Sequence, residues 1–484
     1  MTSRTRRQFL EDSMMAAAAA MTAGAAGHAL AAEEKKPQSN APSETLHVAI
    51  IGTRGRGKSH IDALAGRDGV EVTYVCDADE KIGHNRAKRV AERQGRAPKF
   101  VQDMRDLFDD KSVDVVTIAT PNHWHALAAI WAMQAGKDVY VEKPVSHNIS
   151  EGRRIVEAAR AHNRICQAGT QSRSNKGMQQ AIEYVQSGKL GKVNLARGLC
   201  YKRRRSIGPK KKYDVPASVD YNLWTGPAEM RPLMRRSLHY DWHWIWNYGN
   251  GDLGNQGIHQ MDICRWGLGL DHLSYGSLSY GGRLGYEDAG ETANTQVCLY
   301  DYGDKQLVFE VRGLKTEPLK GVSIGCIFYG SDAYMVMPSY SKGVVFDLDG
   351  KEITRFDGGG DHFGNFLSAV RSRKVEDLNA DILEGHLSSA LCHLGNVSYR
   401  LGEHVDGVEA KKRLPAGDEA QETFERFEAH LKANQIALSD TKFHFGRKLA
   451  FEPTSERFSD DKQANAMLTR EYRAPFIVPG PGKV

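Results

Sequence analysis

The stretch Leu46-His47-Val48-Ala49-Ile50-Ile51-Gly52-Thr53-Arg54-Gly55-Arg56-Gly57 restricts the fold more than any other part of the chain. A short apolar run, Val48 to Ile51, breaks into glycines. Lys58, Ser59 and His60 then open a segment in which Ile61, Leu64 and Ala65 share one helical face. Strand, glycine turn and helix together hold a dinucleotide pyrophosphate. The helix start offers unpaired N–H groups and partial positive charge, and glycines let a phosphate come close to the backbone. Gly52 and Gly57 fit the outer positions of G-x-G-x-x-G, with Arg54 in the middle and Gly55 beside it. A second strand, Val70 to Cys76, ends at Asp77, twenty residues past Gly57. An acidic side chain there accepts hydrogen bonds from the adenosine ribose and repels a 2′-phosphate. The reading is an NAD site, with NADP kept open because Arg54, Arg56 and Lys81 soften that preference.

The segments that follow alternate. A helix runs to Glu92, and strands follow at Phe100-Val101, Val113 to Ala119, Asp138 to Val141 and Ile165 to Ala168. Helices fill His125 to Ala135 and Ser150 to His162. Alternating strands and helices imply a parallel sheet with helices on both faces and a ligand at the carboxyl ends of the strands. The glycine turn, Asp77, Thr120-Pro121-Asn122 and Glu142-Lys143-Pro144 all fall there. From about Gly169 longer alternating strands appear: Val193 to Tyr201, Leu273 to Gly281, Thr295 to Tyr302, Lys305 to Val311 and Val322 to Tyr329. They suit a largely antiparallel sheet with one covered face. Helices are expected at Lys176 to Ser187, Ile258 to Leu268, His362 to Arg373 and Ile382 to Leu401. The division is a nucleotide domain at 45–168, a second α/β domain at 169–414 and a C-terminal arm at 415–484 that packs on the body or on another subunit.

With 484 residues, 40% of them hydrophobic, the chain has room for two or three domains. The net charge of +5, set against 65 basic and 60 acidic residues, does not call for nucleic acid. Residues 1–32 read as an export signal: Arg6-Arg7-Gln8-Phe9-Leu10 is a twin-arginine core, an Ala-rich stretch follows, and Ala29-Leu30-Ala31 supplies small residues for cleavage. A polar linker, 33–44, comes next. The expectation is transport by the twin-arginine machinery to the periplasm with the nucleotide already bound. No stable membrane anchor is expected after cleavage, since no later stretch has the ~18 consecutive apolar residues a membrane helix needs. Seven cysteines without a C-x-x-C pair read as buried thiols.

Two further sites carry chemistry. Pro144 biases Lys143 to an extended backbone, and a lysine fixed at a strand end can aim its ammonium at a developing alkoxide. In Gly249-Asn250-Gly251-Asp252-Leu253-Gly254-Asn255-Gln256-Gly257-Ile258-His259-Gln260-Met261-Asp262, glycines mark a loop entering a helix. His259 and Asp262 then share a helix face, so Asp262 is positioned to orient an imidazole that takes a hydroxyl proton. Gln171, Ser172 and Arg173 follow a strand at the domain junction, where Gln171 is read toward the cofactor and Arg173 toward substrate. His239-Tyr240-Asp241-Trp242-His243 places three possible metal ligands on one side of a strand. No metal is assigned, and Tyr240 and His243 are read as sugar contacts. Lys202 to Arg205 and Lys210 to Lys212 form a basic loop that is either a solvated face or a contact for an anionic glycan.

Taken together, these motifs resemble the Gfo/Idh/MocA family of oxidoreductases over roughly Leu46 to Leu401. The likeness rests on Ile-Gly-x-x-Gly-x-Gly, Thr120-Pro121-Asn122 with His125, Glu142-Lys143-Pro144, and the glycine-rich stretch with Gly257, His259 and Asp262. It implies an α/β protein: a doubly wound parallel Rossmann sheet, then an α/β domain with a large, mostly antiparallel open sheet that often forms subunit contacts. It implies a homo-oligomer, dimer or tetramer, oxidising a sugar or cyclitol hydroxyl with NAD or NADP. Lys143 and His259 match the family's catalytic lysine and histidine, and Asp262 its downstream aspartate. Gly52, Thr53, Arg54, Gly55, Arg56, Gly57, Asp77, Thr120, Pro121, Asn122, His125, Glu142, Lys143 and Gln171 are assigned to the cofactor. Lys143, Arg173, Tyr240, His243, Asn255 and His259 are assigned to substrate. Asn255 stands where the family usually has aspartate four residues before the histidine; an amide positions a hydroxyl but cannot share a proton as carboxylate does. Two alternatives stay open: an NAD-dependent glycosidase that oxidises a ring hydroxyl, eliminates the aglycone and returns the hydride, and a non-catalytic carbohydrate-binding protein.

Overall fold

The architecture comes from a computed structural model that describes residues 45–438 and 441–484. The export signal and linker read at residues 1–44 lie outside the described residues. The first sheet holds six parallel strands: β1 (Leu46–Ile51), β2 (Val70–Cys76), β3 (Lys99–Val101), β4 (Val115–Ile118), β5 (Asp138–Val141) and β6 (Cys166–Ala168). Their spatial order, β3-β2-β1-β4-β5-β6, reverses direction between β1 and β4. The carboxyl ends of those two strands therefore open a crevice. Both faces of the sheet are apolar because both are covered. Val48, Ile50, Val115 and Tyr140 pack under the helix Gly55–Leu64 on one side. Ala49, Ile51, Val116 and Val139 pack under Asn122–Gln134 and Ile149–Ala161 on the other. The helix expected from His125 begins three residues earlier, at Asn122, directly after Pro121.

The second sheet has twelve strands: β7 (Leu195–Cys200), β8 (Gly276–Gly282), β9 (Thr295–Asp301), β10 (Gln306–Arg312), β11 (Ile324–Tyr329), β12 (Ala333–Met337), β13 (Lys342–Asp347), β14 (Glu352–Asp357), β15 (Glu403–Val405), β16 (Phe443–Phe445), β17 (Leu449–Glu452) and β18 (Arg457–Phe458). All pairings are antiparallel except β7 with β10. One face is covered by Lys176–Gln186, Ile258–Gly267 and Ile382–Arg400, through Met178, Ile182, Met261, Cys264 and Leu391.

The opposite face is not left open over β8, β9 and β10, as the alternation suggested. Helix Asp418–Ala433 lies on it, with Phe424, Phe427 and Leu431 against Leu278, Val297, Leu299 and Val308. The reason is in the strand: Val297, Cys298, Leu299 and Tyr300 are apolar on both faces, so both need a cover. The C-terminal segment thus packs on the body. Its end returns to the first sheet, where Phe476 and Val478 join the core beside Trp124. Helix His362–Ser372 also belongs to the first sheet's core, through Phe363, Phe366 and Leu367.

All seven cysteines are free and buried. Burial also pushes many imidazoles down: His123 and His393 to about 3, and His362 to about 4. The fold refuses protons that the unfolded chain takes up below about pH 6.5. Stability is therefore expected to fall as pH drops through 6.5 and below, seen as a declining thermal midpoint between pH 7 and 5. Glu151, lifted to about 7 by burial, works in the other sense and is outnumbered.

Candidate active site

A cavity of about 1030 Å³ follows the carboxyl ends of β1, β2, β4 and β5 and ends against residues of the second half, Asn255, His259 and Tyr340. The turn after β1 is drawn as tight as a backbone allows. Gly52 sits at φ +76°, and a Cβ there would lie 2.7 Å from the Thr120 nitrogen. A Cβ on Gly57 would lie 1.9 Å from the Gly52 carbonyl oxygen. Helix Gly55–Leu64 starts at Arg54 with no side-chain cap and no acidic residue in its first turn. Arg54, Gly55 and Arg56 line the cavity, so the uncapped helix start borders it. That is a cradle for a pyrophosphate.

Asp77, at the end of β2, accepts from the Thr53 backbone nitrogen at 2.8 Å and the Thr53 hydroxyl at 2.9 Å through Oδ2. Its Oδ1 accepts from the Asp79 nitrogen at 3.0 Å. Burial lifts its pKa against the pull of these bonds. Each carboxylate oxygen keeps acceptor capacity for a ribose hydroxyl. Asp77→Ser is expected to weaken NAD binding about tenfold, the loss of one charge-assisted hydrogen bond, and to narrow the preference over NADP. Fluorescence titration with both nucleotides checks it.

Glu142 is 3% exposed. Its Oε1 accepts from Arg56 Nε at 2.7 Å and Gln171 Nε2 at 3.2 Å, and His60 Nε2 lies at 3.2 Å. Burial alone would raise this carboxyl's pKa, but the Arg56 guanidinium and then His60 outweigh it and hold it well below the usual range. Glu142 pins the glycine-turn helix to the exit of β5. His60, not singled out from sequence, is buried edge-on to Tyr140 and Phe363. A polar residue inside the stripe of Gly57, Ile61 and Leu64 was the available signal.

Thr120, Pro121 and Asn122 also line the cavity. Asn122 Nδ2 donates to Asn250 Oδ1 at 2.9 Å, joining the first sheet to the glycine-rich loop. His125 acts as a strut. Its Nε2 is 2.8 Å from the Thr120 carbonyl oxygen and its Nδ1 2.6 Å from that of Pro144, so it ties the turn after β4 to the turn after β5.

Lys143 Nζ donates to the backbone oxygen of Asn255 at 2.6 Å. The loop 253–257 forms a wide helical turn that hands over to Ile258–Gly267, and this places Asn255 and His259 on the cavity wall. His259 is 8% exposed, and neither of its ring nitrogens has a hydrogen-bond partner among the described residues. Burial first, then the Lys143 charge, push its pKa well below the ordinary histidine value. It is therefore a neutral imidazole near neutral pH. Burial likewise lowers Lys143, against the pull of Glu142.

Asp262 does not orient His259, contrary to expectation. Its carboxylate accepts from Arg173 Nε at 2.9 Å and Nη2 at 2.9 Å, and from the Ser388 hydroxyl at 2.7 Å. Arg173, read toward substrate, is 6% exposed, does not line the cavity, and also donates to Glu384 at 2.9 Å. One turn of helix carries Asp262 inward while His259 faces out. The pair locks the histidine's helix to the turn after β6 and to Ile382–Arg400. Asp262→Ala leaves Arg173 buried and short of its partner. It is expected to cost about 3–5 kcal/mol of stability, read as a lower thermal midpoint of the NAD-loaded protein.

Residues 241–244 form a short 3₁₀ turn rather than a strand. His239 pairs with Asp79 at 2.8 Å. His243, with Nδ1 2.5 Å from the Tyr240 oxygen, stacks on Trp242 at 3.7 Å between ring centroids and lines the cavity beside the exposed Tyr240. Burial pushes His243 to about 3. Tyr340, from the turn between β12 and β13, also lines the cavity; its ring lies 4.9 Å from His259 and its hydroxyl accepts from Gln256 at 2.6 Å. Nothing in the sequence around Tyr340 marked it, because it depends on strands that the alternation did not reveal.

Comparison with known proteins agrees with this geometry. The model of an oxidoreductase family with an NAD-binding Rossmann fold matches residues 46–170, and the model of that family's C-terminal α/β domain matches 184–428. Inositol 2-dehydrogenase of Salmonella typhimurium is 34% identical over 177 residues, 36% of this chain and 50% of that protein. A glycosyl hydrolase family 109 protein of Shewanella pealeana is 30% identical over 174 residues, 33% of this chain and 38% of that protein. The chain thus spans half or less of the curated relatives it matches. Among solved structures, the WlbA dehydrogenase of Bordetella pertussis, in complex with NADH and UDP-GlcNAcA, superposes with a TM-score of 0.53 at 20% identity over 72% of this chain and 94% of that one. At that identity the likeness is one of fold.

Proposed function

The chain belongs to the Gfo/Idh/MocA family of oxidoreductases, and from that premise we propose that it oxidises a CH–OH group of a sugar or cyclitol. NAD, held by the glycine turn and Asp77, supplies the hydride acceptor when bound. The chain's own residues do the rest. The Lys143 ammonium holds the substrate oxygen and stabilises the negative charge that develops on it. Neutral His259 takes the hydroxyl proton, and the Asn255 amide positions that hydroxyl. Glu142 stays ionised and fixes the Arg56 end of the cradle. The observation that carries this reading is the unengaged imidazole of His259 beside Lys143, on the wall of the same cavity that holds the pyrophosphate cradle.

The same reading places the protein in the periplasm, exported folded through the twin-arginine route with its nucleotide retained, as a homo-oligomer. The support for export is the Arg6-Arg7 core and the Ala-rich stretch behind it. A redox-assisted glycosidase is the second reading, favoured by the stretch shared with the family 109 proteins.

Native mass spectrometry of protein purified from the exported fraction, with no nucleotide added, is expected to find one NAD(H) per subunit and more than one subunit. Sugars, cyclitols and aryl glycosides are then offered to that protein. Net reduction of the bound nucleotide supports the dehydrogenase, and release of the aglycone without net reduction supports the glycosidase. An empty protein that no sugar reduces and that releases no aglycone, even with NAD supplied, overturns both.

A further inference from the structure

Among the described residues, the substrate end of the cavity offers cations and hydrogen-bond donors and no carboxylate without a partner. The carboxylates that line the cavity are already bonded: Asp77 to Thr53, Asp103 to Arg105 and Glu142 to Arg56. Two more next to it are paired as well, Asp79 with His239 and Asp252 with Arg204. A wall of this kind complements a ligand that brings its own negative charge.

The rim repeats the pattern. Residues 201–216 have neither helix nor strand and meet the cavity through Arg204, yet the path is fixed. Arg204 N donates to Gly313 O, Ala289 N to Gly208 O and Tyr213 N to Leu233 O, each at 2.8 Å. Arg204 itself is the anchor at the cavity: it pairs with Asp252, lies over the Trp244 ring at 4.9 Å, and reaches the Tyr240 hydroxyl at 3.4 Å. Around this anchor Lys202, Arg203, Arg205, Lys210, Lys211 and Lys212 are exposed, and none has a carboxylate partner among the described residues. Lys202 is near enough for its charge to lower the Lys143 pKa. Seven like charges in eleven residues, six of them without a carboxylate partner among the described residues, oppose folding, and the one acidic residue in the segment, Asp214, pairs with none of them. An ordered loop that displays them beside a sugar-sized aromatic shelf, Tyr240 with His243 on Trp242, calls for an extended polyanion with ring-shaped units.

We propose that the substrate is an anionic glycan bearing carboxylates or sulfates, one ring entering the cavity while its neighbours lie along the basic loop 202–212. The proposal rests on the hydride-transfer reading only in saying which ring reacts; the binding it predicts is measured apart from turnover.

The probe is an oligogalacturonate of defined length, with its methyl ester as a neutral twin of the same skeleton, titrated calorimetrically into the NAD-loaded protein at low and high salt. A heparin-derived oligosaccharide distinguishes sulfate from carboxylate. The free acid or the sulfated chain is expected to bind at least about tenfold more tightly than the ester at low salt, with the gap shrinking as salt screens the charges. The triple variant Lys202→Ser, Arg203→Ser, Arg205→Ser is expected to bind the acid no better than the ester, and Lys210→Ser, Lys211→Ser, Lys212→Ser to weaken it in the same direction. Both keep the NAD content of the parent and a thermal midpoint at or above it, because all six side chains are exposed and none has a carboxylate partner among the described residues. If neither anionic chain binds more tightly than the ester, if both loop variants bind like the parent, or if a single-stranded oligonucleotide or anionic vesicles bind more tightly than either glycan, the proposal is overturned.

Discussion

Lys143→Met is expected to lower kcat by about 10²–10³ while NAD affinity and thermal midpoint change little. A donor aimed at a developing oxyanion in a water-poor cavity is worth about 2.7–4 kcal/mol when removed. Methionine keeps most of the length of the side chain and removes the charge together with its N–H donors. The ammonium also holds the Asn255 backbone oxygen at 2.6 Å, so the loss of that bond must be separated from the loss of catalysis. KM supplies the separation. A lysine that merely shaped the loop would move KM and kcat together. One that meets charge only in the transition state moves kcat and leaves KM near its value. Arginine does not substitute, since its planar fork is larger and has no point-like charge to place at one oxygen. A kcat within threefold of the parent for Lys143→Met would end the assignment.

How far the sequence reaches is clearest at particular residues. Gly52, Gly57 and Asp77 were readable because backbone sterics and a spacing along one βαβ unit define them, and both are local properties. The parallel sheet followed for the same reason: Val48 to Ile51 and Val115 to Ile118 are buried on both faces and read as apolar runs, broken only by Thr117. Lys143 and His259 were found as separate local motifs. That they line one cavity, 116 residues apart in sequence, is a consequence of packing that no window contains.

Asp262 illustrates the opposite outcome. Helical spacing put it on the face of His259, but spacing says nothing about Arg173, which arrives from the turn after β6 and captures the carboxylate. A buried charge takes whichever partner geometry brings nearest. The strands β13 and β14 went unread because Gly343, Asp347 and the exposed Glu352 interrupt their alternation, and β12 because Ala333 to Met337 is apolar throughout and does not alternate. Tyr340 was lost with them. Helix Asp418–Ala433 looked like part of a polar arm because its exposed face dominates its composition, while Phe424, Phe427 and Leu431 form a stripe that only the sheet explains.

His259→Gln is expected to lower kcat/KM by about 10²–10⁴, the range for loss of a positioned base, and to remove the acid limb of its pH profile. The limb itself follows from the environment. The base works as neutral imidazole, so activity is lost as pH falls through its pKa in the free enzyme. Burial, and after it the Lys143 charge, hold that pKa well below 6.5. The parent profile should therefore stay level from pH 8 down through 6.5 and bend only on the acidic side of it. The two predictions then meet in one experiment. Lys143→Met removes the second-largest cause and leaves burial and the weaker Arg56 charge, so its residual activity should bend at a higher pH than the parent, still below 6.5. A limb that stays put when the ammonium is removed would mean that the group titrating is not His259, or that Lys143 does not face it. Either result would dissolve the pairing on which the chemistry rests.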